Sequence, residues 1–242
     1  MVDTITLSEF RCDWFKHAKT NFETYLERFK DKSNLRFLEI GSFEGMSTLW
    51  LLENILTDAS CKITCVDTFV GNEEKYWKGV DTNTISQTFN NNISKYKEKV
   101  TVLKGKSQEQ LRKDEFRYPI YDFMYIDGSH RAPDTLEDII LSFRLLKPLG
   151  IMIIDDYQWD FPVSDDIEHP KIAIDAFLSI FRKEYKLLLK DYQVIIEKLP
   201  EDDKNKKILG LGYYIDEIAI GNMILEEFLE ILPSIDTTAH YN

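Results

Sequence analysis

The chain has 242 residues, with 30 Lys or Arg and 42 Asp or Glu, and its net charge at pH 7 is −12. A chain of this length can bury one substantial core, so we start from a single domain. The acidic residues are spread along the whole length, and such a surface repels phosphate backbones. Nucleic acid is therefore not the expected partner.

The three cysteines are Cys12, Cys61 and Cys65, and none of them forms a CxxC pair of the kind that binds metals. This pattern favours a reducing cytosol. The N-terminus lacks a basic start followed by an apolar run, and no uncharged apolar stretch approaches the length that spans a bilayer. We expect a soluble, unprocessed cytoplasmic protein without a membrane partner.

Hydrophobic periodicity predicts the elements in chain order. Apolar residues recur at helical spacing over 9–30, which predicts an amphipathic helix ahead of the main fold. Short apolar runs then alternate with helical patterns, as in a parallel sheet flanked by helices. The predicted strands are RFLEI, KITCV, KVTVL, YDFMYI and GIMII. The predicted helices cover 46–56, a segment with Ile85, Phe89, Ile93 and Tyr96, then 107–113, 133–147 and 171–182.

Two further strands, YKLLL and YQVII, are separated only by Lys190 and Asp191. Strands this close must pair as an antiparallel hairpin, because a parallel crossover needs about a dozen residues or more. The sequence therefore predicts a doubly wound α/β fold whose seven-stranded sheet is mostly parallel with an antiparallel edge hairpin. We divide the chain into an N-terminal helical extension (1–34), a central domain (35–200) and a C-terminal extension packed on the same domain (201–242). In that extension we expect a polar loop at 201–207 and a final helix near 224–232.

A glycine turn follows the first predicted strand. Gly41 and Gly45 let the backbone turn sharply and come close to a ligand at the start of a helix. The spacing is GxxxG after an acid, Glu39, and it does not match the GxGxxG pattern that seats a pyrophosphate. An acid there suits a ligand with an ammonium and a sulfonium, such as S-adenosylmethionine. Asp67, at the end of the second strand, lies at the offset where a carboxylate accepts both ribose hydroxyls. The alternative is an ordinary turn with Asp67 as a cap.

Three carboxylates end the fourth and fifth predicted strands. Asp127 follows one strand, and Asp155 with Asp156 follows the next, so all three arrive at the edge where open α/β sheets bind ligands. Their mutual repulsion favours a bound cation, and oxygen ligands suit Mg²⁺, Ca²⁺ or Mn²⁺ better than zinc. The alternative is that Asp127 contacts the cofactor while the other two cap the next loop without a metal. His130, three residues after Asp127, is a candidate base because its unperturbed pKa is about 6.5.

Aromatic residues in two loops are candidates for stacking on a sugar or phenolic acceptor, or for packing those loops against the body. They are Tyr76, Trp77, Tyr157, Trp159 and Phe161.

Five segments in order carry a resemblance to a known family: EIGSFEG, CVDTF, LKGKSQEQL, YDFMYIDGSH and LLKPLGIMIIDDY. Together, over about residues 35–198, they resemble class I S-adenosylmethionine-dependent methyltransferases, in the branch that includes catechol and macrolide-sugar O-methyltransferases. The resemblance implies the strand order of that family, with the switch point beside the first strand.

By this resemblance, the methionine part of the cofactor lies beside Glu39, Gly41 and Gly45, and Ser42 belongs to the same cofactor-binding turn. The resemblance also puts Asp67 on the ribose and Ser107 with Gln108 near the adenine.

The resemblance also supports a metal, because the sugar enzymes carry a similar DGSH segment and a later acid-Asp pair that hold Mg²⁺. The matching positions here are Asp127, Asp155 and Asp156, and the histidine that matches the base of those enzymes is His130. The expected reaction is in-line methyl transfer to a hydroxyl of a small molecule, with a sugar as the first candidate.

Other functions stay open at this point. They are a metal-independent methyltransferase that acts on a small molecule or protein, and a non-catalytic binding module with the same fold. A nicotinamide-dependent oxidoreductase is disfavoured by the missing GxGxxG pattern. The terminal helices are candidates for a lid or a subunit contact, so a homo-oligomer also stays open.

Overall fold

Seven strands form one sheet in the computed structural model, which describes residues 10–71, 83–113, 116–160 and 166–200. The strands are β1 (Arg36–Ile40), β2 (Lys62–Asp67), β3 (Val100–Lys104), β4 (Tyr121–Ile126), β5 (Leu146–Ile154), β6 (Tyr185–Lys190) and β7 (Val194–Lys198). The helices are α1 (Lys16–Tyr25), α2 (Met46–Asn54), α3 (Asn83–Asn92), α4 (Ser107–Gln110), α5 (Ala132–Leu145) and α6 (Pro170–Ile180). Short 3₁₀ turns cover Glu27–Phe29, Ser94–Lys99 and Asp166–Glu168.

The strand order is β3-β2-β1-β4-β5-β7-β6, and every pairing is parallel except those of β7 with β5 and β6. This confirms the predicted mostly parallel sheet with its antiparallel hairpin. The order reverses beside β1, because β2 and β3 extend to one side and β4 to the other. A crevice therefore opens at the carboxyl ends of β1 and β4, where doubly wound folds bind ligands.

Helices cover both faces of the sheet because side chains alternate along its strands. On one face, Phe37 and Phe123 pack with Phe22 of α1, whose ring also lies edge-on to Tyr125 at 4.9 Å. On the other face, Met124 joins a cluster with residues of α5 and α6. The N-terminal helix therefore shares the core of the sheet.

Several predicted boundaries differ from the structure. Helix α1 begins at Lys16 and not near residue 9, since the residues before it lie across the carboxyl edge of the sheet. Strand β5 begins at Leu146 and not at Gly150, and so it contains Pro148. Proline is tolerated there because the pairing of β4 with β5 shifts register between Tyr121 and Phe123.

No helix within the described ranges is long and apolar enough to cross a membrane. The expectations for 201–242, and for Tyr76, Trp77 and Phe161, lie outside the described residues.

Candidate active site

The glycine turn and the end of β4 are in direct contact. The backbone N–H of Asp127 donates to the carbonyl oxygen of Ile40 at 2.9 Å, and that of Gly41 donates to Val66 at 2.9 Å. Gly41 has φ +86°, and a Cβ at this position would lie 1.7 Å from the carbonyl oxygen of Asp127. Only glycine fits so close to another backbone. The glycine turn therefore adjoins Asp127, the first of the three predicted carboxylates.

Two cavities meet at Asp127. The turn cavity is lined by Phe10, Cys12, Trp14, Phe15, Gly41, Ser42, Phe43, Met46, Ser47, Tyr125 and Asp127. The carboxylate cavity is lined by Ile126, Asp127, Gly128, Ser129, His130, Thr135, Asp138, Asp155, Asp156 and Pro170. Asp127 therefore lines both cavities.

The turn cavity is covered by an N-terminal segment, residues 10–15, that sequence reasoning missed. Arg11 reaches Glu44 of the turn, with its backbone N–H 2.8 Å from one carboxylate oxygen and its Nε 3.0 Å from the other. The Trp14 and Phe43 rings lie 5.1 Å apart. These contacts fix the segment over the glycine turn.

Glu39 is fully buried behind the turn cavity, and it does not line that cavity. Its carboxylate accepts hydrogen bonds from the hydroxyls of Ser47, at 2.5 Å, and Thr48, both in the first turn of α2. Burial raises the pKa of Glu39 although these hydroxyls favour the ionised form. The contacts give Glu39 the role of an anchor for the start of α2.

Asp67 lies beside the turn, with each carboxylate oxygen held by a backbone N–H. The N–H of Phe43 donates to one oxygen at 2.8 Å and that of Phe69 to the other at 2.5 Å. Burial nevertheless raises the pKa of Asp67. The N–H of Gly105 donates to the carbonyl oxygen of Asp67 at 2.9 Å, which brings the end of β3 to the same place.

Ser107 and Gln108 follow that contact and meet a residue that sequence reasoning missed, Asp138 of α5. The Ser107 hydroxyl and the Gln108 amide, at 3.2 Å, both donate to Oδ1 of Asp138. Burial raises the pKa of Asp138 to about 7. A signal was present in the sequence, because Thr135, Asp138 and Ser142 form a polar stripe at helical spacing, and all three are buried.

The three predicted carboxylates do converge. The hydroxyl of Tyr125 lies between Asp127, at 3.1 Å, and Asp155. The side chain of Gln193 donates to Asp155 at 2.9 Å. Burial, followed by the charges of Asp155 and Asp156, raises the pKa of Asp127 well above its usual value, and burial with the charge of Asp156 raises that of Asp155 to about 6. The three acids therefore repel one another.

Neither Tyr125 nor Gln193 was predicted for this site. Tyr125 lies in the apolar stretch 123–126 of its strand, so its hydroxyl gave no separate signal. Gln193 comes from the loop between β6 and β7, far away in sequence.

His130 is held against the third acid. Its Nε2 lies 2.8 Å from a carboxylate oxygen of Asp156, whose other oxygen accepts a hydrogen bond from the Tyr192 hydroxyl at 3.0 Å. The His130 and Trp159 rings lie 4.2 Å apart. An imidazole oriented by a carboxylate is the usual arrangement of a general base.

Within the described ranges, no group of three or more His, Cys, Asp or Glu side chains is arranged to hold a metal ion. The donor set at the carboxylate cavity nevertheless has the chemistry of a hard-cation site, because all three acids present oxygen. Burial, and after it repulsion between the acids, raises the pKa values of Asp127 and Asp155, and a cation would relieve the repulsion. The residues therefore fit a divalent cation by charge and donor type, although their side chains are not preassembled around one.

Comparisons with known proteins agree with this geometry. Residues 38–157 match a family model described as a methyltransferase domain, and this range contains the glycine turn, Asp67 and all three acids. An uncharacterized protein of Acanthamoeba polyphaga mimivirus is 26% identical over 138 residues, which cover 53% of this chain and 54% of that protein. The chain thus spans about half the length of the curated relative that it matches.

Two solved structures show the same fold at low identity. A candidate caffeoyl-CoA O-methyltransferase from Staphylococcus aureus is 18% identical with a TM-score of 0.53, over 78% of this chain and 85% of that one. An O-methyltransferase from Bacillus cereus in complex with S-adenosylhomocysteine is 18% identical with a TM-score of 0.50, over 68% and 74%. The matched model identifies residues 38–157 as a methyltransferase domain, and the strand order and the glycine turn agree with the class I S-adenosylmethionine-dependent fold.

Proposed function

We propose that the protein transfers the methyl group of S-adenosylmethionine to a hydroxyl oxygen of a small molecule. One observation carries this proposal: Asp127 lines both the turn cavity and the carboxylate cavity. A methyl donor on the glycine turn and a hydroxyl among the acids would therefore face each other across a single residue. The Bacillus cereus protein of the same fold, an O-methyltransferase with S-adenosylhomocysteine bound, supports this choice.

The donor would lie on Gly41, Ser42 and Gly45, with its ribose on Asp67 and its adenine near Ser107 and Gln108. Each oxygen of Asp67 accepts one backbone N–H, and a carboxylate oxygen can accept a second hydrogen bond. The backbone contacts therefore orient Asp67 and leave it able to accept the ribose hydroxyls. Glu39 would act from behind, through its contacts with Ser47 and Thr48.

Asp127, Asp155 and Asp156 would hold a divalent cation, with Mg²⁺ as the first candidate. The support is their oxygen donor set and the pKa values of Asp127 and Asp155, which are raised first by burial and then by the charges of neighbouring acids. When bound, such an ion lowers the pKa of an acceptor hydroxyl and fixes its oxygen.

His130 would take the proton of the acceptor hydroxyl while the oxygen attacks the sulfonium methyl in line. Asp156 orients the imidazole and stabilises the imidazolium that forms. An oxyanion and a sulfonium cancel charge as they react, so positioning supplies most of the acceleration. A general base contributes about 10²- to 10⁴-fold.

For the acceptor we propose a sugar hydroxyl, on the resemblance of the DGSH segment and on the position of Trp159. The Trp159 ring lies against His130, where an indole face can pack on a sugar or phenolic ring. The net charge of −12 disfavours nucleic acid as the acceptor. The free thiols of Cys61 and Cys65 are buried, and they support a reducing, cytoplasmic setting.

The test is methyl transfer from radiolabelled S-adenosylmethionine to a panel of sugar and phenolic hydroxyls, by the wild type and His130→Ala. We expect His130→Ala to lower kcat by about 10²- to 10⁴-fold while it still binds S-adenosylhomocysteine. The matched control is His17→Ala on α1, which we expect to keep kcat within about twofold. Near-wild-type turnover by His130→Ala would remove the base from the mechanism.

Chelation tests the metal in the same assay. Treatment with a chelator should abolish turnover, and added Mg²⁺ should restore it. Undiminished turnover after thorough chelation would exclude the metal and favour the metal-independent alternative. Binding of S-adenosylhomocysteine without methyl transfer to any hydroxyl or amine would favour the alternative of a non-catalytic binding module.

A further inference from the structure

Asp138 is a buried acid that lies behind the predicted adenine residues. Its side chain belongs to α5 and is 2% exposed. Oδ1 accepts the Ser107 hydroxyl and the Gln108 amide, and a Cβ on Gly128 would lie 3.0 Å from Oδ2. Asp138 therefore sits between α4 and the loop that follows β4.

The chemistry of Asp138 fixes the direction of the Gln108 amide. Oδ1 of Asp138 accepts from both Ser107 and Gln108, and it can do so when the carboxyl is ionised or when it carries its proton on Oδ2, so Gln108 presents its NH₂ group to Asp138. This orientation leaves the carbonyl Oε1 of Gln108 as the atom that can face a ligand. The position of Gln108 is held independently, because Arg112 donates to its backbone carbonyl at 2.6 Å and pairs with Glu137 of α5.

An acceptor at that position distinguishes between purines. Adenine carries an amine at C6, which donates to a carbonyl oxygen. Hypoxanthine carries an oxygen at C6, which would place two acceptors against each other. Buried polar groups left without a partner are costly, so the wrong base is rejected.

We propose that Asp138 is a positioning residue which, by orienting the Gln108 amide, makes the site select adenine over purines with an oxygen at C6. This inference rests on the proposed function, because it needs the adenine of the methyl donor to lie at Ser107 and Gln108. A purely structural role would not require an acid here, since burying a carboxylate costs more than burying a neutral group.

The test compares S-adenosylhomocysteine with S-inosylhomocysteine, its deaminated analogue, by calorimetric titration of the whole protein. The wild type should prefer the adenosyl compound by about 5- to 150-fold. Asp138→Leu removes the acceptor and leaves the Gln108 amide able to turn over, so the preference should fall below about threefold. The matched control is Asp134→Leu, one turn earlier on α5 and partly exposed, which should keep the wild-type preference. The ratio of two affinities in one sample does not depend on the folded fraction.

Gln108→Ala provides a second variant that does not disturb α5. It should lose the preference, and Asp138→Leu added to it should cause no further change. A wild-type ratio in Asp138→Leu or in Gln108→Ala would overturn the inference, and so would equal binding of both compounds by the wild type. Failure of the wild type to bind S-adenosylhomocysteine at all would instead overturn the proposed function.

Discussion

Two acids on the side of the glycine turn each have hydrogen-bond donors of their own, whereas two acids of the carboxylate cavity share one donor. Asp67 accepts two backbone N–H groups, and Glu39 accepts two hydroxyls. In the carboxylate cavity, Asp127 and Asp155 lie on either side of one hydroxyl, that of Tyr125. The first arrangement fixes geometry, and the second retains electrostatic repulsion.

This difference suggests that the two sides of the crevice have different functions. The side proposed to bind the methyl donor is ordered by contacts within the protein, which do not require a ligand. The side proposed to bind the methyl acceptor holds like charges together. Proteins keep such unfavourable arrangements mainly where function needs them. Three substitutions can break or sharpen the comparison.

The largest effect is expected from Gly41→Ala, which tests the close contact between the two sides. The new Cβ would meet the backbone oxygen of Asp127, which cannot move without displacing β4. We expect a loss of at least about 4 kcal/mol in the free energy of unfolding, measured in urea, and no binding of S-adenosylhomocysteine.

Gly45→Ala is the matched control, because its φ of +83° is nearly the same but the atoms nearest its Cβ belong to side chains, those of Phe89 and Ile93. The left-handed conformation alone should cost about 1 to 2 kcal/mol. Equal effects of the two substitutions would show that the contact with Asp127 is not tight.

The next effect concerns Asp138, whose donors are neutral and whose pKa is raised to about 7 by burial. Its pKa is higher in the folded than in the unfolded chain, so the stabilisation present below about pH 4 is lost as the pH rises through about 7. The change attributable to this group is on the order of 4 kcal/mol.

Asp138→Asn should flatten that part of the pH profile of unfolding. Urea titrations between about pH 4 and pH 8 on wild type and variant would measure it. Superimposable profiles would mean that Asp138 ionises normally in the folded protein.

The smallest change in stability is expected from Asp127→Asn, which removes one of the repelling charges. At about pH 8 the variant should be as stable as the wild type or more stable by about 1 to 3 kcal/mol, while turnover falls by at least about 100-fold. Asp67→Asn is the contrasting variant. It weakens the hydrogen bonds that Asp67 accepts from backbone N–H groups, and it should lower the free energy of unfolding by about 1 kcal/mol. Destabilisation by Asp127→Asn would show that the three carboxylates do not repel one another.

Much of this arrangement could be predicted from the sequence, for identifiable reasons. Alternation of strand and helix patterns predicts a parallel sheet, and the ends of parallel strands meet at one edge. Asp127 and Asp155 could therefore be brought together without coordinates. Gly41 could be placed beside a ligand because its spacing after a strand is characteristic.

Other residues could not be found in this way. Residues 10–15 continue into the apolar pattern of α1, and periodicity does not show that they lie across the turn cavity. Tyr125 looks like any core aromatic of a buried strand, and Gln193 reaches Asp155 from a hairpin 38 residues away. Contacts of this kind depend on tertiary packing, which a local pattern does not encode.

The most direct test of the shared crevice is a crystal structure of the protein with S-adenosylhomocysteine and Mg²⁺. We expect the cofactor in the turn cavity, with its adenine at Ser107 and Gln108 and its sulfur facing Asp127 and the carboxylate cavity. A cofactor bound elsewhere, or acids turned away from its sulfur, would contradict the account.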